Sequence, residues 1–559
     1  MLPCPKRDAM VRHDDEKPET WAMHATMMNV PLSLNHLLER AGHLFPDKLV
    51  VSRLPDKTLR THSYAQVHRR TRALASALQQ LGLKKGDRVA TLSWNHHAHL
   101  ECYFGIPAAG GVMHTLNLRL SPDEIGWIAG DAQDRFLIVD DVLLPLYKQF
   151  AHLHQFERVI VFPFSGAPVA AEFDNYETLL ASAAPDTFTY AAHDEYDPVA
   201  MCYTSGTTGR PKGVVYSHRS TVLHTLVGCL AENWGLRTSD VLLPVTPMFH
   251  ANCWGLPYGA VMMGAKLVFP GPHLHPDDLL DLIKAEPPTL CVGVPTIWLG
   301  LIQRFERALT EEPGRWQLPN GMRSRVGGAA VPESLIRAID RHGVWLQQGW
   351  GMTETSPLAT VSSKVEYAGE AERFRRAAMA GMPVPLVDVR IRTEDGSDAP
   401  HDGTSMGEIQ VRGPFITGSY HEVPVTADKF TADGWLRTGD VATMDPQGFV
   451  RITDRTKDLI KSGGEWISSV DLENALMAHP AVAEAAVIAI PDEKWSERPL
   501  ACVAMKPGQN ATPAELAAHL LQHGFAKWQL PDRYEVIDAV PRTSTGKFWK
   551  LKLRERFPR

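Results

Sequence analysis

From residue 198 to residue 342, short apolar runs alternate with amphipathic helical stretches, which restricts the chain to a largely parallel, helix-flanked sheet. The runs are Pro198–Cys202, Val214–Tyr216, Val241–Val245, Lys266–Phe269, Leu290–Val294 and Arg325–Ala329. A helix is expected after His218, with Val222, Leu223, Leu226, Val227 and Leu230 on one face; others are expected over Asp277–Lys284 and Pro332–His342. Parallel neighbours cannot be joined by a tight turn, so a crossover helix is the connection this pattern needs. Upstream, residues 31–105 read as helix, strand and helix: Leu32–Leu44 and Tyr64–Leu81 repeat at helical spacing, and Arg88–Ser93 resembles a buried strand.

At 559 residues the chain is too long for one ordinary domain. Its texture changes after Thr453, where the charged connector Asp454-Arg455-Thr456-Lys457-Asp458 leads into shorter elements. Among these are helices opening at Ser468-x-x-Asp471 and Thr512-Pro513-x-Glu515, and strands at Ala485–Ile490, Leu500–Ala504 and Tyr534–Val540. The expected fold class is α/β, with a large N-terminal domain over residues 1–453, a hinge at 454–458 and a small C-terminal α+β domain over 459–559.

A net charge of −7 gives no sign of a nucleic-acid surface, so any polyanion is held locally. Seven scattered cysteines form no Cys-x-x-Cys pair, which argues against zinc and disulfide frameworks and for a reducing compartment. The charged N-terminus lacks the plan of a signal peptide, and no apolar run suggests a transmembrane segment. A soluble cytoplasmic protein is the expectation, with peripheral membrane contact left open.

Residues Tyr203–Gly213 read Tyr-Thr-Ser-Gly-Thr-Thr-Gly-Arg-Pro-Lys-Gly. Gly206 and Gly209 let backbone N–H groups close on an anion, Thr204, Ser205, Thr207 and Thr208 donate hydroxyls, and Lys212 adds charge: the make-up of a polyphosphate loop. Pro211 and Gly213 break the Walker A pattern around Lys212. A plain surface turn is the duller reading of such a segment.

Further constellations follow. Gly349-Trp350-Gly351-Met352-Thr353-Glu354 lies after the apolar run Val344–Leu346, at a strand end, where α/β sheets bind ligands. Trp350 offers a face for a base, Thr353 a hydroxyl for phosphate, and Glu354 a hard oxygen for Mg²⁺. Gly327-Gly328-Ala329-Ala330 carries only small side chains, so backbone can approach a flat ring. Arg437-Thr438-Gly439-Asp440 offers a carboxylate for ribose hydroxyls, with Arg455 as second partner, and Lys547 sits on a turn at Pro541–Lys547. Trp254 and Trp350 could equally be core aromatics, and His250 a core histidine.

These motifs, in this order and spacing over residues 30–555, resemble the acyl-CoA synthetases of the adenylate-forming superfamily, specifically their medium- and long-chain fatty-acid branch. The resemblance implies two steps: a carboxylate attacks the α-phosphorus of Mg-ATP to give acyl-AMP and pyrophosphate, then the thiol of coenzyme A displaces AMP. It implies that Thr204–Lys212 hold the β- and γ-phosphates, Thr353 the α-phosphate, Thr204 and Glu354 the metal, and Asp440 with Arg455 the ribose. Gly328, Ala329, Ala330, Gly349, Trp350, Gly351 and Met352 complete the ATP site. Lys547 would bridge carboxylate and α-phosphate. The C-terminal domain would be mobile, turning at Lys457 and presenting Ser462, Gly463, Gly464 and Trp466 to coenzyme A in the second step. Relatives in this branch form homodimers, and a homodimer is plausible here too.

Thr246–Pro257 resembles the acyl-pocket segment of that branch, with Trp254 matching its gate, and His250, Gly255 and Gly328 beside it. The lining read from Trp254, Leu256, Val261, Met262 and Met263 is apolar without a charged anchor, which favours a fatty acid over an amino acid. The alternatives are the same chemistry on an aromatic or sulfur-containing acid, or a member that hands its acyl group to a separate carrier or only binds nucleotide.

Overall fold

The computed structural model describes residues 27–204, 210–362, 369–462, 465–543 and 547–558. Two large sheets form the bulk. One has seven strands, in the order Asp174–Asn175, Arg158–Phe162, Phe136–Asp140, Arg88–Leu92, Val112–Thr115, Pro198–Tyr203, Gly213–Ser217, parallel except for the last pair. The second has nine, with Trp345–Gly351, Arg323–Val326, Leu290–Gly293, Val241–Pro244, Lys266–Phe269 and Leu49–Arg53 running parallel through its middle.

The parallel strands are nearly continuous apolar runs, as burial on both faces requires: Phe136–Asp140 is buried at every position. Helices supply the cover. Pro276–Ala285 and Pro295–Glu311 pack Leu279, Ile283, Leu301 and Phe305 over the nine-stranded sheet, each starting with proline in the first turn. The helix His218–Cys229 departs from its expected pattern: Val222 and Val227 are buried, whereas Leu226, and Leu230 just past its end, are exposed.

The alternating pattern did not reveal the third sheet, which is wholly antiparallel: Asp388–Arg392, Gly407–Arg412, Leu436–Met444 and Val450–Arg455. Its last strand extends through the first two residues of the charged connector, since Asp454 pairs with Val441 and Arg455 with Asp440. The remaining strands, Ile460–Ser462, Glu465–Ile467, Val482–Asp492, Ser496–Met505 and Arg533–Val536, form a fourth sheet with its own core around Ile460, Leu472, Val487, Val503 and Leu516. Thr512 and Glu515 make the reciprocal cap expected of them. Ser468 caps Ser469–Met477 alone, because Asp471 turns to Arg451 instead.

No described helix is long and apolar enough to cross a membrane.

Candidate active site

The two segments flanking the hydroxyl-rich loop are tied across its base: Thr204 N donates to Lys212 O at 2.9 Å, and Lys212 N to Thr204 Oγ1 at 3.1 Å. Ser205, Gly206, Thr207, Thr208 and Gly209 lie outside the described residues, as do Gly463 and Gly464. The Lys212 ammonium rests over the Tyr420 ring, 5.0 Å from its centre. That ring's hydroxyl donates to Glu354 Oε1 at 2.8 Å.

Glu354 comes from the turn Thr353–Thr355, which continues the strand Trp345–Gly351. Gly351 is required there, because a Cβ on it would sit 1.6 Å from the Pro357 carbonyl oxygen. Burial raises the Glu354 carboxyl above its ordinary value, while the Tyr420 hydrogen bond pulls it back. No described cation pairs with it within ion-pair distance, and Thr204 faces the same cavity. A desolvated carboxylate and a hydroxyl on one cavity wall suit Mg²⁺, which binds through one or two carboxylates and substrate phosphates. The neighbouring Thr353 is buried, its carbonyl accepting from Tyr216 Oη at 2.8 Å.

Opposite, Trp350 Nε1 donates to Asp440 Oδ2 at 2.8 Å, and Arg455 Nε meets Asp440 Oδ1 at 3.1 Å. The third sheet therefore carries this acid and this base into the site across adjacent strands.

Lys547 enters from the C-terminal unit, its carbonyl accepting from Thr543 N at 2.8 Å. It lines the same cavity of about 500 Å³ as Thr204, Lys212, Thr353, Glu354 and Arg455. Burial and the nearby Arg455 push its ammonium down to about 8, while Asp440 and Glu354 oppose that shift. A larger cleft of about 1030 Å³ adjoins it between the helices Pro295–Glu311 and Ser469–Met477, bordered by Gly328, Ala329, Ala330 and Lys457.

Trp254 reaches the cavity by an unusual route. Ala251, Asn252, Cys253 and Trp254 all have positive φ (42°, 50°, 53° and 57°), and Gly255 continues at 76°. Left-handed geometry costs a non-glycine residue about 1–2 kcal/mol, so this turn must be held by its surroundings. Cys253 Sγ–H donates to Thr246 O at 3.0 Å, and Cys202 Sγ–H to Asn252 Oδ1 at 3.2 Å. The turn lays the Trp254 ring against Gly327, where a Cβ would stand 3.5 Å from the ring and 2.8 Å from Gly349 O. His250 lines the cavity and is held neutral, since burial, Lys547 and Arg119 together lower it to about 3.

The structure does not bring every expected residue to the wall. Leu256 and Val261 are fully buried in the core, Met262 and Met263 pack there too, and Gly255 abuts His224 and Trp234. Ser462 and Trp466 border neither cavity; Ser462 is buried and accepts from Arg498 Nη1 at 3.0 Å. The cavity wall is not uniformly apolar: Arg325, buried, faces it together with Trp234. Tyr216, Tyr420, Trp234 and Arg325 carried no motif that marked them. For Arg325 the faint signal was a charge in a strand read as apolar.

Residues 38–421 match the family model for AMP-binding enzymes, and residues 471–547 that for the AMP-binding enzyme C-terminal domain. The chain is 48% identical to a long-chain-fatty-acid–CoA ligase of Thermus thermophilus, over 96% of this chain and 97% of that protein. It is 41% identical to a 3-methylmercaptopropionyl-CoA ligase of Ruegeria lacuscaerulensis, over 96% and 99%. A solved anthranilate CoA ligase in complex with anthranoyl-AMP superposes with a TM-score of 0.83 at 26% identity, covering 94% of this chain and 98% of that one. On the strength of these matches along nearly its whole length, the chain belongs to the AMP-binding enzyme family.

Proposed function

We propose that this protein is an AMP-forming acyl-CoA synthetase that activates a medium- to long-chain fatty acid and transfers it to coenzyme A, releasing AMP and pyrophosphate. The observation that carries the reading is Lys547, which faces one cavity with Thr204, Glu354, Arg455, His250 and Trp254. A phosphate loop, a ribose-type carboxylate and an aromatic-lined recess converge on a cation delivered by a separate unit. Relatives named for fatty acids support the acid class, and a relative named for a sulfur-containing acid keeps that alternative alive.

In the first step a carboxylate oxygen attacks the α-phosphorus and the bond to the bridging oxygen breaks, releasing pyrophosphate. Lys547, between the two anions, offsets their repulsion and the charge that develops on the phosphorus oxygens. Thr204 and Lys212 hold the outer phosphates, Thr353 the α-phosphate, and Asp440 with Arg455 the ribose. Thr204 and Glu354 are the residues that would hold Mg²⁺, which when bound supplies charge neutralisation to the phosphates. In the second step the thiolate of coenzyme A attacks the acyl carbon and AMP leaves. Turning at Lys457 would withdraw Lys547 and bring Ser462, Gly463, Gly464 and Trp466 to the cavity. A reducing, cytoplasmic setting suits the free described cysteines, and a homodimer completes the reading.

The test is exchange of labelled pyrophosphate into ATP across acids from C2 to C18, with AMP release followed with and without coenzyme A. Acid-dependent exchange, with thioester formed only when coenzyme A is added, is the expected result. An enzyme that exchanges with no acid would refute the reading.

A further inference from the structure

Arg325 sits in a central parallel strand, where charged side chains are rare. It is 6% exposed, and its register partners are Val292 and Gln347, neither of them charged. Its Nε donates to Asn233 O at 2.9 Å and its Nη1 to Ser324 O at 3.1 Å. Among the described residues it forms no ion pair, and Glu232 is the one acidic group whose charge bears on it. Burial, with Arg323 adding repulsion, pushes it down to about 9, so it remains cationic at neutral pH.

Anchoring the Asn233–Gly235 loop does not account for it. Arg323, two residues earlier in the same strand, already holds Trp234 O and Gly235 O at 3.2 and 2.8 Å and carries its own carboxylate, Asp240, at 2.6 Å. Arg323 is therefore a satisfied structural arginine. Arg325 is a buried cation with no carboxylate within ion-pair distance among the described residues, an arrangement that is costly unless something else supplies the anion.

Its side chain also points the right way. Side chains alternate along a strand, so Arg325 shares a face with Gly327, whose missing Cβ makes room for the Trp254 ring. Val326, on the other face, packs into a different core with Val331 and Leu335. Arg325, Trp234, Trp254 and His250 border one cavity, which Lys547 also faces.

We propose that Arg325 is a specificity-determining residue at the acyl end of the cavity, and that the preferred acid carries an oxygen acceptor at its far end, a carboxylate most strongly. The proposal rests on the acyl-CoA synthetase reading and narrows its substrate. One carboxylate is activated beside Lys547; the distal oxygen accepts from the guanidinium, whose fork suits a second carboxylate.

The experiment compares matched acids of equal chain length bearing a terminal methyl, hydroxyl, keto or carboxyl group. It measures kcat/KM for pyrophosphate exchange with the wild-type protein, Arg325→Met and Arg325→Lys. The wild type is expected to favour an oxygen-terminated acid over its methyl counterpart by about 10- to 100-fold, the worth of a hydrogen bond to a charged group. Arg325→Met should lose that preference chiefly through KM while keeping its rate on methyl-terminated acids, and Arg325→Lys should retain part of it. Comparison within the wild type needs no variant to fold. If methyl-terminated acids are used as well as or better than all the others, the proposal falls while the synthetase reading stands. Equal losses on every acid in folded Arg325→Met would show a structural arginine and overturn it too. Exchange with no acid at all would remove the synthetase reading and this inference with it.

Discussion

Both carboxylate oxygens of Asp440 are engaged by protein groups, Oδ2 by the indole N–H of Trp350 at 2.8 Å and Oδ1 by Arg455 at 3.1 Å. The acid thus holds the Trp350 ring and Arg455 together, while spare lone pairs remain on its oxygens for further donors.

Asp440→Asn should therefore weaken ATP more than its single lost charge suggests, since it loosens Trp350 and Arg455 together. We expect KM for ATP to rise about tenfold, with kcat changing less. An ATP titration of pyrophosphate exchange checks it; an unchanged KM would mean that Asp440 serves the fold alone.

Lys547→Ala should slow acid-dependent exchange by at least about 10²–10³-fold, the effect of removing one charge-stabilising donor. Thioester formation from supplied acyl-AMP should survive. The wild-type pH profile carries the same information. With its ammonium lowered to about 8, Lys547 is cationic below that pH and neutral above it, so adenylation should decline as pH rises through about 8. A profile flat to pH 9.5 would contradict this.

Tyr420→Phe removes the hydroxyl that favours the ionised form of Glu354, a carboxyl already raised by burial. Losing it raises that group further, so the acid limb of the adenylation profile should move to higher pH, with exchange at neutral pH falling about tenfold. Profiles of the two proteins that superpose after scaling would rule the linkage out.

Lys550, on the helix that follows Lys547, meets Glu473 at 2.7 Å, with 10% and 7% of the two side chains exposed. Beside this pair Ser469 donates to Asp454 Oδ2, N–H and hydroxyl both, so the cluster joins the last helix to the connector. Lys550→Met leaves a buried carboxylate unpaired and should cost about 3–5 kcal/mol. Urea unfolding measures it, and Lys550→Met with Glu473→Gln should recover much of the loss. A double variant no better than the single would show that charge pairing is not what the cluster contributes.

Arg554 reaches back from the same helix to Asp458 Oδ1 at 2.6 Å and to the Lys457 carbonyl at 3.4 Å. Arg554→Ala frees the connector from the lysine-bearing unit, and adenylation should slow about two- to fivefold, as for loss of a partly exposed ion pair. Rapid-quench measurement of acyl-AMP formation would reveal it. Slowing confined to thioester formation would assign the contact to the other step.

Much of this architecture is legible in the order of the amino acids, for reasons local to the chain. Buried parallel strands must be nearly all apolar and their crossovers amphipathic, so Lys266–Phe269 is readable to the residue. Loops that close on phosphates must bring glycines, hydroxyls and a lysine within a few positions, so the segments around Thr204 and Thr353 stand out. The antiparallel sheet of residues 388–455 does not, because its strands carry charges on the exposed face and follow no helix.

Sequence alone thus determined the fold class and marked the charged connector and each contiguous motif, because those depend on side chains within a turn or two of one another. Tertiary structure decided which distant groups share a wall. It turned Trp254 inward on a left-handed run with only one glycine, closed Tyr420 over Glu354, and set a buried Arg325 where an apolar pocket was expected. Such juxtapositions come from packing strands and loops far apart in the chain, and no periodicity in any one segment encodes which neighbour a side chain will meet.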